Sequence, residues 1–477
     1  MGHKNRKIKT MNFNKKALLT MIFSMVITIN VWATKPNIIF IFADDWGWGD
    51  LSCHGHPYVK TPHIDRLAKE GTDFTRFTVA SGVCSPSRTA VMTGHFPARY
   101  NINGHFAWVP SNAKRGMPDW LNPKAPLLPR MLQKAGYRTA HFGKWHLANN
   151  MITDSPLPSE YGYDAYGAFN CAGEQMPVHE DAKHTIDFIE KCNDEKKPFF
   201  INLWIHEPHT PFHTVPKYRW RFRELPEPDN IYASVLSHAD DRIGEVLNSL
   251  DRLKLTKNTL VIFSSDNGPA RAASPTELTL MHDTATGAGY GIGAAKGITG
   301  DRKGYKAALF EGGIGVPFIA RWPGKIGAGK VDNQSLISAI DLLPTFCDLA
   351  GAKFPAGYRP DGVSQLETLK GRKSPTREKP LFWKAQSRWP APKGRPHHWV
   401  SFAIVYKNWK LLSNNEFTHT ELYDITANPF EKNDLTSKNP EITQQLIRQI
   451  KNWEATLPTQ PTGKVFSAER GNLNPKK

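Results

Sequence analysis

Three apolar runs, each stopping abruptly on charged or imidazole side chains, constrain the fold of this chain more than any other feature. Residues 37–43 read Asn-Ile-Ile-Phe-Ile-Phe-Ala and end on Asp44 and Asp45. Residues 198–205 end on His206, and residues 259–265 end on Asp266, Asn267 and Gly268. A run apolar at every position, rather than every second one, belongs to a strand covered on both faces, as in a parallel sheet between helices. Helical spacing falls between the runs, at residues 61–70, 127–135, 232–253 and 338–350. Strands alternating with helices predict an α/β sandwich. In such sheets ligands bind just beyond the carboxyl ends of the strands, where these polar residues fall.

Past residue 351 the texture changes. Residues 352–398 are rich in Pro, Gly and Lys, residues 399–406 and 409–412 read as short antiparallel strands, and residues 440–453 carry apolar groups at helical spacing behind Asn439 and Pro440. The expected organisation is a leader (1–33), an N-terminal α/β domain (34–351) and a smaller C-terminal α+β subdomain (352–477) with a short antiparallel sheet. Residues 1–33 run from basic to apolar to small, the order of a secretory signal peptide, with cleavage expected after Ala33. The protein is therefore expected to be exported, periplasmic or secreted, with no stable membrane span. The five cysteines, an odd number in 477 residues, make no disulfide framework; Cys171 with Cys192 is the one pairing the sequence suggests.

Charge narrows the partners. The chain carries a formal +17; six cations and no acid lie in the leader, so the remainder carries +11. A protein this basic favours polyanions: nucleic acid, acidic lipid or acidic polysaccharide. The cations are spread along the chain and no nucleic-acid module is recognisable, which sets nucleic acid aside.

The sharpest local feature is residues 84–94, Cys-Ser-Pro-Ser-Arg-Thr-Ala-Val-Met-Thr-Gly. Pro86 suits the first turn of a helix, which puts Cys84 at the helix N-terminus. Backbone N–H groups and the helix dipole there favour an anion, and Arg88 lies one turn on, facing the same side. Asp44 and Asp45 are adjacent carboxylates at a strand end, which repel unless a cation sits between them. His206, His209 and His213 are interrupted by Glu207, Pro208 and Pro211, which break any helix that would align them on zinc.

Cys-x-Pro-x-Arg followed by Thr-Gly resembles the signature of the type I, formylglycine-dependent sulfatases of the alkaline phosphatase superfamily. The likeness extends from Lys35 to about Pro458. It implies an alkaline phosphatase-like fold, with a mixed, mostly parallel central sheet sandwiched by helices, and conversion of Cys84 to formylglycine by a formylglycine-generating or sulfatase-maturating enzyme. Asp44, Asp45, Asp266 and Asn267 match the family's metal-binding positions, which with the modified Cys84 suit one Ca²⁺ per subunit. Gly143-Lys144-Trp145-His146 resembles the family's Gly-Lys-x-His element, giving a sulfate-binding Lys144 and a His146 that contacts the formylglycine. His206 matches a third site position. Lys306, five residues before Glu311-Gly312-Gly313, matches the second lysine, with Lys303 as its rival; Ala307, Ala308 and Gly315 depart from the family's usual pattern. Residues 422–435 resemble a C-terminal family marker.

The resemblance implies a sulfatase mechanism. One hydroxyl of the hydrated aldehyde, activated by the metal and Asp266, attacks sulfur; His206 with Lys306 protonates the leaving oxygen; His146 takes a proton from the second hydroxyl as sulfate departs. Arg88, Lys144 and Lys306 offset the substrate's negative charge. The charge, the export and 14 tryptophans favour a sulfated carbohydrate, an algal polysaccharide such as ulvan or carrageenan or a glycosaminoglycan, with residues 383–389 and 395–399 as candidate rim of the sugar site. A phosphate or phosphonate ester hydrolase of the same superfamily, and a non-catalytic exported binder of acidic polysaccharide, are the alternative readings.

Overall fold

A computed structural model describes residues 1–2, 35–272, 277–372, 377–387 and 390–473. The expected leader, its first two residues apart, lies outside the described residues, as do Arg388 and Trp389 of the expected rim. From Pro36 onward the chain forms one compact unit.

Its centre is an eight-stranded sheet made of β1 (Asn37–Ala43), β2 (Thr72–Phe74), β3 (Arg138–Lys144), β4 (Ala165–Phe169), β5 (Phe199–Trp204), β6 (Thr259–Ser265), β7 (Phe318–Arg321) and β8 (Lys330–Asp332). The order is β8-β2-β7-β6-β1-β5-β3-β4. Every neighbouring pair is parallel except the two made by β7, which runs against both β6 and β2. The sheet is thus mixed and mostly parallel, as the family resemblance implies, with the three apolar runs on parallel strands. The alternation along β1 shows why the run is apolar at every position from Ile38 to Ala43. Ile38, Phe40 and Phe42 enter the core on one face, while Ile39, Ile41 and Ala43 enter the core on the other, and all are inaccessible to solvent.

Helices fill both faces. The long helix Glu227–Arg252 supplies Ile231, Val235, Ala239 and Ile243 to one core. The helices Cys84–Thr93, Leu128–Lys134 and Leu342–Ala350 supply the other. That second core continues without a break into the four-stranded antiparallel sheet Leu381–Lys384, Phe402–Tyr406, Trp409–Ser413 and Thr420–Asp424, through Phe402, Ile404, Leu411 and Leu422. The helix Pro440–Glu454 packs Leu446, Ile447 and Ile450 into the same core.

Two expectations fail on this packing. Cys171 belongs to one core and Cys192 to the other, on opposite faces of the sheet, so they cannot meet, and all five cysteines are free. Trp383 and Trp399, expected at a sugar rim, are buried in the core; the Trp383 indole N–H donates to Val79 O at 2.8 Å. Among the described residues no helix is long and apolar enough to cross a membrane.

Candidate active site

The carboxyl ends of β1, β5, β6 and β3 lie side by side, because these strands are parallel neighbours in register: Ala43 opposite Ser265, Ile41 opposite Leu203, Gly143 opposite Trp204. The residues just past those ends therefore converge. Close approach of the chains makes glycine obligatory at 143. Its φ is +106°, and a Cβ there would sit 2.0 Å from Trp204 O.

Cys84 opens a helix whose ten residues are all buried. The helix tolerates its polar residues because Thr89 and Thr93 return their hydroxyls to the carbonyls of Ser85 and Thr89, at 2.8 and 2.7 Å. Gly94 closes it in the left-handed conformation, its N–H donating to Ala90 O. The Cys84 thiol donates to Asp44 Oδ1 at 3.4 Å and accepts from Lys144 Nζ at 3.7 Å. Burial, together with the carboxylate of Asp44, pushes this thiol far above the ordinary cysteine range, so the unmodified sulfur is a neutral group and a poor nucleophile.

Around it the charges interlock. Arg88 gives two N–H groups to Asp266 Oδ2, at 3.0 and 2.6 Å, and a third to Lys144 O at 3.1 Å, with its guanidinium over the Trp204 ring at 4.9 Å. It is wholly buried and committed to Asp266. Lys144 Nζ pairs with Asp44, and Lys306 Nζ reaches both oxygens of Asp45, at 2.6 and 2.7 Å. The turn presenting Lys306 is held by Lys306 N–H to Pro269 O, Ala307 N–H to Gly82 O and His398 Nε2 against Lys306 O. Lys303 instead donates to Glu421 at 2.7 Å and to the Tyr423 hydroxyl at 2.9 Å. Of the two rival lysines, only Lys306 faces the aspartates. Asp45 (φ 66°) and His146 (φ 54°) hold left-handed backbone, strain of the kind that clusters at functional sites.

The histidines separate by role. His146 Nε2 donates to Phe106 O at 3.0 Å, and Phe106 N–H donates to Ser85 Oγ at 2.9 Å, which ties His146 to the first turn of the Cys84 helix. Its Nδ1 is buried without a hydrogen-bond partner, and burial next to Lys144 keeps the ring neutral. His206 is turned toward its own loop, Nε2 donating to Pro211 O at 3.0 Å, with a pKa pushed down to about 4 by burial. His209 is the residue that reaches the carboxylates. Its Nε2 is 3.9 Å from Asp45 Oδ2, and its ligand atom shares a 4.8 Å cluster with those of Asp44, Asp45 and Cys84. The sequence treats it as a neighbour of His206. The signal that singles it out is its place five residues beyond the end of β5, where the chain doubles back between Pro208 and Pro211.

The donor set fits a hard divalent cation. Asn267 Nδ2 donates to Asp45 Oδ1 at 2.7 Å, which leaves Asn267 Oδ1 buried with no partner. Burial, Lys306 and the Asp44 charge act on Asp45 with a net upward shift; burial and Asp44 likewise raise Asp266. Burial also opposes the charge on Asp44, but His209, Lys144, Arg88 and Lys306 outweigh it and hold Asp44 ionised. Three buried carboxylates thus face three cations with a formal sum of zero, and two of the carboxylates remain short of positive charge. An added divalent ion relieves them and leaves the site at +2, attractive to an anionic ester.

Comparison with known proteins agrees with this chemistry. Residues 36–352 match the family model described as Sulfatase, and residues 303–456 match the model described as N-sulphoglucosamine sulphohydrolase, C-terminal. The chain is 33% identical to the N-acetylgalactosamine-6-sulfatase of Mus musculus, over 73% of this chain and 68% of that protein. It is 29% identical to the N-acetylgalactosamine-6-O-sulfatase of Bacteroides thetaiotaomicron, over 88% of this chain and 93% of that one. Among solved structures it resembles Ps i-CgsB in complex with k-i-k-neocarrahexaose, with a TM-score of 0.74 at 26% identity, covering 92% of this chain and 96% of that one.

Proposed function

The chain belongs to the sulfatase family of sulfuric ester hydrolases, and from that premise we propose that it removes sulfate from a sulfated carbohydrate, using formylglycine at position 84 and Ca²⁺. The observation that carries this reading is the Cys84 side chain itself, buried at a helix N-terminus between Asp44 and Lys144, where burial and the carboxylate favour the neutral thiol, a poor nucleophile. Asp44, Asp45, Asp266 and Asn267 would hold the cation. The hydrated aldehyde would supply an oxygen nucleophile and a second hydroxyl, and the cation would neutralise charge on the sulfate oxygens.

The remaining work falls to the chain's own residues. Lys144 and Lys306 bind the sulfate oxygens, since each presents an ammonium at the aspartate cluster. Arg88 fixes Asp266 and so the position of the first turn against β6. Lys306, held protonated and with His209 beside it at Asp45, delivers the proton to the leaving oxygen, in the role that the sequence gives to His206 with Lys306. His146, neutral and with a free Nδ1, accepts the proton from position 84. Relatives named as N-acetylgalactosamine-6-sulfatases support a sulfated sugar, as does the +11 charge beyond residue 33. An algal polysaccharide and a glycosaminoglycan both carry such sugars. Export through residues 1–33, to the periplasm or medium, and maturation by a formylglycine-generating enzyme complete the reading.

Release of inorganic sulfate from defined sulfated oligosaccharides and from 4-nitrophenyl sulfate tests it. Sulfate release is expected; release of phosphate from the matching aryl phosphate at a higher rate, or no release from any sulfate ester, overturns it. The lysines give a sharper comparison. Lys306→Ala should lower kcat/KM by about 10²–10³-fold, the usual loss for one charge-stabilising donor. Lys303→Ala should lower it by less than about tenfold, its expected effect being on Tm through the contacts to Glu421 and Tyr423.

A further inference from the structure

A cavity opens directly off the sulfate-binding corner, lined by Lys144, His206 and His209 on the sheet side and by Asn170, Thr210, Asp283 and Thr286 beyond them. Asp283 and Thr286 come from the tip of a hairpin, Leu280–Asp283 paired with Gly287–Tyr290. The hairpin is fixed over the cavity at both ends. Phe212 and Tyr290 exchange backbone hydrogen bonds at 2.8 and 3.1 Å, and Asn150 Nδ2 donates to Thr284 Oγ1 at 2.7 Å. At the tip, Asp283 Oδ1 is occupied by the turn itself, accepting from Ala285 N–H, Thr286 N–H and the Thr286 hydroxyl. Oδ2 has no hydrogen-bond partner among the described residues.

Resting on the sulfatase reading above, the geometry points to this cavity as the subsite for the sugar ring that bears the scissile sulfate, with Asp283 as a specificity-determining residue. A carboxylate with one oxygen locked and the other unpaired accepts hydrogen bonds from ring hydroxyls. The Thr210 and Thr286 hydroxyls and the Asn170 amide are neutral groups suited to the same task. The same carboxylate repels a second carboxylate brought into the cavity, which excludes by charge as well as selecting by hydrogen bond. The one ammonium group among the lining residues, Lys144, is already paired with Asp44. The substrate class is therefore a sulfated neutral pyranose, a hexose or N-acetylhexosamine, and not a sulfated uronate.

The test compares 6-O-sulfated N-acetylgalactosamine, a 2-O-sulfated uronate disaccharide and 4-nitrophenyl sulfate on the mature, metal-loaded enzyme and on Asp283→Asn and Asp283→Ala. Asparagine keeps the Oδ1 acceptor of the turn, so Asp283→Asn should fold with an unchanged Tm. The wild type should favour the neutral sugar over the uronate. In both variants KM for the neutral sugar should rise about 10- to 100-fold, the loss expected for hydrogen bonds to a charged group. That rise should exceed the change on 4-nitrophenyl sulfate at least tenfold, and the uronate should gain relative to it. Equal losses on the sugar and the aryl ester, or a wild-type preference for the uronate, overturn the assignment of Asp283 while leaving the sulfatase reading intact. Failure of the wild type on all three esters overturns the sulfatase reading itself.

Discussion

Cys84→Ala should abolish turnover, with kcat falling by about 10⁴-fold or more, the scale seen when the nucleophile of an interlocked site is removed. The fold should survive. Cys84 is 2% exposed, and losing one sulfur atom from a helix whose other contacts are unchanged costs about 1 kcal/mol. Tm should therefore move by no more than about 4 °C. Mass spectrometry of the tryptic fragment spanning residue 84 should find the aldehyde in active protein and the thiol in protein made without the maturating enzyme. The thiol form should be as inactive as the alanine variant, because Asp44 and burial keep that sulfur protonated. Active protein that carries only the thiol would sink the reading. The three measurements, activity, Tm and mass, separate a lost nucleophile from a lost fold.

Much of this arrangement is legible in the order of the amino acids, for a physical reason that differs from element to element. β1 and β6 run over Asn37–Ala43 and Thr259–Ser265, the very spans of their apolar runs. In these two strands, covered on both faces, polar residues are confined to the ends: Asn37, Thr259, Ser264 and Ser265. Helix starts are less exact. The helix expected from residue 232 begins at Glu227, because its first turn is polar and sits outside the periodic face. Cys84 and Arg88 are legible because Pro86 and Gly94 punctuate a helix start and end.

Other features are written only in three dimensions. Nothing in the spacing of Lys303 and Lys306 says which way a turn will face; the choice is made by Gly82, Pro269 and His398 holding the backbone of residues 306 and 307. His206 and His209 are both plausible by position, and the doubling back of the chain after β5 sends the second of them to the carboxylates. Tryptophans among lysines and arginines read as a sugar-binding rim, yet an indole ring with its N–H satisfied by a carbonyl is equally at home in a core, as Trp383 is. The hairpin carrying Asp283 has too little alternation in either strand to announce itself.

Stripping divalent cation with a chelator should lower kcat/KM by about 10³-fold, and Ca²⁺ should restore it. The loss should exceed what neutralisation alone explains, because the two lysines and the cation compete for the same oxygens. Lys144 pairs with Asp44 and Lys306 with Asp45, and in the stripped enzyme these pairs should keep both ammonium groups engaged. An ester sulfate arriving then meets a cluster of zero formal charge whose cations are already engaged. With a divalent ion on the carboxylates the cluster carries +2 and the ammonium groups are available to the substrate, so KM should rise on stripping as well as kcat fall. Stability should follow by linkage: at a hundred times its dissociation constant the ion adds about 2.7 kcal/mol. The metal-free protein should still fold, because the lysine–aspartate pairs and the Arg88–Asp266 pair keep the three carboxylates compensated. Asp45→Asn should no longer respond to added Ca²⁺, since it removes a carboxylate oxygen from the cluster, and its KM should stay below that of the stripped enzyme, since it leaves Lys306 free. Calorimetric titration of stripped enzyme with Ca²⁺, alongside rates at each point, checks the argument. Full activity with no metal bound, or a chelated enzyme that loses kcat with KM unchanged, would show that the lysines and the ion do not compete.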